Sequence, residues 1–408
     1  MKKIFSFALI ACAMVAGFAS CSNEDEVSGN SQAGLDTRSI GFYGTRVDGS
    51  AVGTRGYATT AANVLTQIGS FQTWAYDDTT DGLYMGASAT SGRVVTGDGA
   101  GAWSYSPQQF WPVNPLNFVA VTPAAAPTGG TLTHSTASAS NVVTLTSTFV
   151  NPTDVENQVD IMYASADDIE KGDFTGNVPF TFKHALSQIV FKGKFNDAGA
   201  VTKVTIAEIS LCNINSAGTL VYTSTDGFYG GAEQPATSGT PANFTLDAGD
   251  LEGAVFDVAD VLTPAVLYED ADEAAAAGKE VGDVKTPAVL RGTTPFDLTI
   301  SENATKKNAW MMIPQTTAAW AGPAAINATP ASGAYLKVRA QIEKDGVVIL
   351  GNAAADALYI PLSINWDRSK KYIYTLEFNG ANALTPITFS VAAQDWTDAD
   401  PQPGDISF

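Results

Sequence analysis

Apolar residues recur at every second position along most of this chain, in short runs broken by turn residues, and that period marks β-strands rather than helices. In "NVVTLTSTFV" the apolar face is Val143, Leu145 and Phe149. In "KYIYTLEF" it is Tyr372, Tyr374, Leu376 and Phe378, with Thr375 and Glu377 opposite, as in an antiparallel strand with one wet side. "AYLKVRAQIEKDGVVILGN" reads as a hairpin: Leu336, Val338, Ala340 and Ile342 share a face, and Asp345-Gly346 supplies the tight turn. "LNFVAV" (116–121) is apolar on both faces and is expected at the centre of a sheet. "VPFTFKHALSQIVFKGKF" changes phase, since Phe180 and Phe182 have one parity and Ile189 and Phe191 the other; a bulge near His184-Ala185-Leu186-Ser187 would account for it. The one helical candidate, "YEDADEAAAAGKEVGD" (268–283), has alanines without an apolar stripe and reads as a surface insertion or loop helix. No repeat of solenoid length is visible. The expected class is all-β, with sheets packed on sheets as sandwiches.

Residues 1–20 change the picture at one end. Lys2 and Lys3 precede the apolar "IFSFALIACAMVAGFA", which reads as an export signal and is too short for a comfortable membrane span. Gly17-Phe18-Ala19-Ser20-Cys21 resembles the lipobox of bacterial lipoproteins, although Phe18 stands where leucine is commoner. Cys21 would then be the first mature residue, carrying lipid and anchoring the protein to the outer membrane. An ordinary secretory signal with an incidental cysteine is the alternative. "SNEDE" after Cys21 favours lipidation, because an acidic tether there resembles a surface-export signal of lipoproteins in Gram-negative anaerobes.

With Cys12 in the signal and Cys21 lipidated, Cys212 has no partner, so no disulfide framework exists. Stability must come from cores, for which the 45% hydrophobic content is ample. The mature length of about 390 residues favours two domains. An excess of 42 acidic over 22 basic residues argues against nucleic acid and anionic lipid as partners. Low charge (16%) with abundant Gly, Thr, Ser and Ala fits an extracellular protein.

Catalytic chemistry finds little support. His134 lies in "TLTHSTAS", read as a loop, and His184 in "FKHALS", read as a packed or edge histidine in a strand. Two histidines build no zinc spacing, and no nucleophile elbow or phosphate-cradling loop is present. Asp77-Asp78 and Asp167-Asp168-Ile169-Glu170 are the acidic clusters that calcium or a glycosidase pair would need, and solvated loop carboxylates are the commoner case. No catalytic residue, cofactor or metal is assigned. Trp103, Tyr105 and Trp111 are either core aromatics or stacking platforms for a glycan.

"FTFKHALSQIVFKGKF", "VTIAEISLCNINSAGTLVYTS", "INWDRSKKYIYTLEFNG" and "ITFSVAAQDW", in that order, resemble the fimbrillin family of lipoprotein pilins. "SFQTWAYDD" and "WSYSPQQFWPVNPLNFVAVTPA" are similar to the amino-terminal domain of that family. The resemblance implies two tandem β-sandwich-like domains, transthyretin-like or Greek-key-like, with residues 56–178 forming the first and 179–408 the second. They would follow the signal (1–20) and an acidic tether with a removable strand (21–55). The implied function is structural: a subunit of a cell-surface fimbrium, matured by an arginine-specific protease, polymerised by donor-strand exchange and supporting adhesion.

The resemblance also gives meaning to "LDTRSIGFYGTRVDGSAVGTRGYAT", which gathers three of the chain's seven arginines. "SIGFYGTRV" alternates at Ile40 and Phe42 and suits the removable strand. Arg55, in Gly-rich "AVGTRGYA", ranks first as the cleavage point, Arg46 second and Arg38 last; a plain solvated tether is the other reading. Residues 386–408 are the candidate donor, with Ile387, Phe389, Val391 and Ala393 on one face and Trp396 after a phase change. The alternative is that 386–396 is simply the last strand of the second domain. Expected partners are other fimbrial subunits, the outer membrane through lipid, and a host or bacterial surface ligand. A glycan-binding surface lipoprotein, or a tip or anchor subunit, is the runner-up.

Overall fold

A computed structural model gives the fold and describes residues 39–47, 68–98, 102–172, 177–195, 203–224, 236–247, 255–257, 261–263, 266–286, 289–290, 295–299, 309–328, 330–344, 346–351, 356–378 and 387–395. It is almost entirely β, in three principal sheets.

The first sheet has eight strands in the order Gly41–Val47, Asn177–His184, Met162–Ile169, Leu116–Thr122, Ser70–Asp77, Arg93–Gly97 and Trp103–Ser104, with Leu83–Met85 added to Ser70–Asp77. Strand 116–122 lies at its centre with every residue buried, as its two apolar faces predict. One face of this sheet carries Phe71, Phe118, Phe180 and Phe182 into a first core. The other carries Trp74, Tyr76, Val119 and Val121 into a core shared with Val143, Leu145 and Phe149. Those last three belong to strand Val142–Val150, whose hairpin partner is Thr131–Ala139.

That hairpin is part of a nine-stranded sheet built around Lys203–Thr223, a strand of 21 residues. Its amino-terminal half pairs with Tyr335–Lys344 and its carboxy-terminal half with 144–150. The third sheet has five strands: Phe296–Asp297, Ser187–Phe195, Lys370–Phe378 and Ile387–Asp395, with Trp310–Met312 on 187–195. A further core contains Ile189, Phe191 and Tyr374 from this sheet and Ile206, Ile209, Leu336 and Val338 from the nine-stranded one.

The residues around 178–187 depart from the sequence reading. Strand 177–184 is hydrogen-bonded in the first sheet, so the boundary expected at 178 falls inside it, and the chain crosses over at Ala185 and Leu186. The change of parity is that crossing and not a bulge: Phe180 and Phe182 serve one core, Ile189 and Phe191 another. The two halves also share the nine-stranded sheet, because hairpin 131–150 of the first half completes it. "TLTHSTAS", read as a loop, is the edge strand of that hairpin. The loop-helix reading of 268–283 corresponds to a short helix, α1 (Ala271–Ala276), whose N-cap Asp270 side chain accepts from Glu273 N at 2.9 Å.

Candidate functional site: the edge held by residues 39–47

Strand 41–47 occupies the edge of the first sheet and runs parallel to 177–184. The two residues that precede it, Ser39 and Ile40, are held by the 105–110 segment. Ile40 N donates to Gln109 O at 2.8 Å, Ser39 bridges Phe110, and the Tyr105 hydroxyl donates to Ile40 O at 2.7 Å. Ile40 and Phe42 are buried, the two apolar positions that alternate in the sequence. Phe42 is enclosed by three rings: its centroid lies 5.7 Å from Phe180 in a stacked pair, 5.5 Å from Phe71 and 5.7 Å from Tyr105. Removing residues 39–47 would therefore uncover the backbone edge of 177–184 and an aromatic groove lined by Phe71, Tyr105 and Phe180.

Arg46 lies in the ladder itself, opposite Thr181. Arg55, Arg38 and Cys21 lie outside the described residues. The segment 48–67 between this strand and the next carries Arg55.

At the other end of the chain, strand 387–395 forms the edge of the five-stranded sheet and pairs antiparallel with 370–378, from Phe378↔Ile387 to Lys370↔Asp395. Ile387 is buried, whereas Phe389, Val391 and Ala393 are half-buried against the same core, with the Phe389 ring 6.0 Å from Tyr374. The alternation read from the sequence is thus the inward face of this strand, and Trp396 lies outside the described residues.

The other candidates are engaged in packing. Trp111 is fully buried and Trp103 and Tyr105 are half-buried against the first core, Trp103 at 5.1 Å from Phe71. His134 is buried on the hairpin with Nδ1 at 2.9 Å from Ser147 Oγ, and burial lowers its pKa to about 4. His184 Nδ1 lies 2.6 Å from Asp160 Oδ2, both residues buried where the chain crosses between sheets. The Asp77 carboxylate accepts from Asn114, Thr79 and Thr80; burial acts to raise its pKa, and those bonds outweigh it and hold it low. Burial, aided by Asp78 and Asp168, raises Asp167. No group of three His, Cys, Asp or Glu residues that could hold a metal occurs among the described residues. Cys212 is buried, which pushes its thiol up to about 11.

Sequence reasoning missed the clasp from the 105–110 segment. Tyr105 and Gln109 reach Ile40 across 65 residues or more of chain, and nothing local to "SYSPQQF" announces that contact.

The family model described as fimbrillin-like matches residues 54–396, and the chain belongs to that family. No curated protein matches the chain. Among solved structures, a fimbrial protein from Bacteroides vulgatus is similar over 88% of this chain and 100% of its own, at 18% identity and a TM-score of 0.54. A proposed cell adhesion protein from Bacteroides uniformis aligns over 90% of this chain and 100% of its own, at 15% identity and a TM-score of 0.41. The tip fimbrial protein Mfa3 from Porphyromonas gingivalis aligns over 88% of this chain and 99% of its own, at 10% identity and a TM-score of 0.31. The first of these carries the agreement in fold.

Proposed function

We propose that this protein is a structural subunit of a cell-surface fimbrium that supports adhesion. It is exported as a lipoprotein through Cys21, cut after Arg55 or Arg46, and polymerised by exchange of strands between subunits. Membership of the fimbrillin-like family supports the fimbrial role. The observation that carries the assembly reading is the placement of residues 39–47: an edge strand, parallel to its neighbour, joined to the rest of the chain by a segment that contains Arg55.

The physics follows from what that strand covers. An unpaired edge exposes a row of N–H and C=O groups, and the groove beneath it is aromatic. A strand from another subunit satisfies the backbone groups while its alternate side chains fill the apolar positions that Ile40 and Phe42 vacate. Residues 386–408 supply the donor. Their strand sits at a sheet edge, and its half-buried Phe389, Val391 and Ala393 alternate on one face as a groove requires. Leaving its own sheet would expose Ile387, so departure is favourable only when a neighbour's groove buries that face again. Such polymers dissociate slowly, because release demands local unfolding.

Treatment of the lipidated precursor with an arginine-specific protease tests the proposal. Ladders that resist dodecyl sulfate without heating are the expected product; verified cleavage that yields only monomer would contradict it.

A further inference from the structure

We propose that Ile406 and Phe408 of a second copy take the places of Ile40 and Phe42, with the incoming strand parallel to 177–184. This rests on the strand-exchange reading above and assigns the anchors within residues 386–408 and their register.

The groove asks for a defined sequence. Ile40 and Phe42, two positions apart, put their side chains on one face of the chain, and both are buried in the first core. The site of Phe42 takes a ring, since Phe180 stacks on it and Phe71 and Tyr105 pack against it at steep angles. At the site of Ile40 the backbone is held as well. Its N–H donates to Gln109 O and its carbonyl accepts from the Tyr105 hydroxyl, so proline does not serve there. Gly41, between the two, is half-buried and registers with Asn177.

Ile-x-Phe occurs four times in the chain: Ile40-Gly41-Phe42, Ile189-Val190-Phe191, Ile387-Thr388-Phe389 and Ile406-Ser407-Phe408. Ile189 and Phe191 are fully buried in a strand with neighbours on both sides. Ile387 and Phe389 are engaged in their own subunit: Ile387 is buried and registers with Phe378, and the Phe389 ring lies 6.0 Å from Tyr374. Using them as anchors would break the ladder to 370–378 and uncover that core. Ile406-Ser407-Phe408 lies outside the described residues and matches the strand to be replaced in order, spacing and a small middle residue. Residues 397–405, rich in Asp and Pro, separate it from strand 387–395 and span up to about 30 Å when extended. The anchors can therefore fill a neighbour's groove while strand 387–395 stays paired. Because Ile precedes Phe in both segments, filling the same sites in the same order fixes the direction. Ser407 then faces Asn177 as Gly41 does, whereas an antiparallel donor would bring Phe408 to the site of Ile40.

The test uses the full-length precursor, cut with an arginine-specific protease. Asn177→Cys and Ser407→Cys in one chain should give disulfide-linked ladders under mild oxidation after the cut and none before it, since facing residues of neighbouring strands lie within disulfide reach. Asn177→Cys with Thr388→Cys should give none. Cys212 is buried and stays out of the exchange. I406A/F408A should slow ladder growth by on the order of tenfold or more and leave the melting temperature of the uncut precursor unchanged. I387A/F389A should lower that melting temperature. A disulfide through T388C instead of S407C, a disulfide closed within one subunit, or ladders from I406A/F408A at the wild-type rate would overturn the assignment and leave strand exchange standing. Ladders that persist when residues 386–408 are deleted would overturn strand exchange itself.

Discussion

Phe42 lies flat against Phe180, with ring centroids 5.7 Å apart and planes 13° from parallel. The pair joins a strand that the proposal removes to a strand that stays. Phe180 is fully buried among Phe71, Phe118 and Phe182 as well, so Phe180→Ala should cost about 3–5 kcal/mol before and after processing. Phe42→Ala should lower the melting temperature of the precursor and leave that of the processed, strand-exchanged product unchanged. Calorimetry on both forms checks this.

The proposed lipidation has a single residue behind it. Cys21→Ala should leave the precursor without acyl chain and lost from the outer membrane, because no other cysteine follows the signal closely. Labelling with an alkyne fatty acid reads the outcome, and undiminished labelling of the variant would remove the lipoprotein reading.

Processing should favour Arg55 over Arg46 in the folded precursor, since Arg46 sits in a hydrogen-bonded ladder opposite Thr181 and a protease needs an extended, free backbone. The expected new terminus is Gly56. Arg93 and Arg339, both inside strands, should stay uncut at low protease. Sequencing of the product distinguishes these sites, and Val47 as the first terminus to appear would contradict the ranking.

The buried histidine of the hairpin makes stability depend on pH. His134 takes its proton near 4 when folded against an ordinary value of 6.5, because burial disfavours the charged ring. Between those values the unfolded chain binds the extra proton, so stability is full above 6.5 and is lost as pH falls toward 4, by about 3 kcal/mol at most. His134→Gln should flatten that part of the profile in urea titrations between pH 7 and 4.

Much of this architecture was legible because strands with a core on one side must alternate. Tyr372, Tyr374, Leu376 and Phe378 are all buried, and Leu336, Val338 and Ile342 pack in the same core, with Gly346 at φ 76° in the turn. Residues 116–122, apolar on both faces, are the buried centre of the first sheet. What local pattern does not encode is which sheet a strand joins. Phe180 and Ile189 differ in parity because they serve different cores, and a phase change looks the same whether the chain bulges or crosses over. Strand 131–139 was hidden for another reason: its exposed positions are the small residues Thr131, Thr133, Ser135, Ala137 and Ala139, and its register with 142–150 is what makes it a strand. Its turn is carried by Ser140 and Asn141, both at positive φ, a signal weaker than the usual Asn-Gly. At the candidate site, Ile40 and Phe42 were readable from alternation, whereas their partners Tyr105 and Gln109 are set by the fold alone.

The central claim is that the groove under residues 39–47 is filled by the carboxy-terminal segment of another copy, and a mixture of two half-competent proteins tests it most directly. One lacks residues 386–408 and is cut to open its groove; the other keeps that segment but carries Arg38→Gln, Arg46→Gln and Arg55→Gln, so its own groove stays closed. Each alone should remain monomeric. Mixed, they should give a heterodimer that survives dodecyl sulfate without heating, and no longer species, since neither end of the pair can extend. A mixture that stays monomeric, or a dimer formed by the truncated protein alone, would contradict the account.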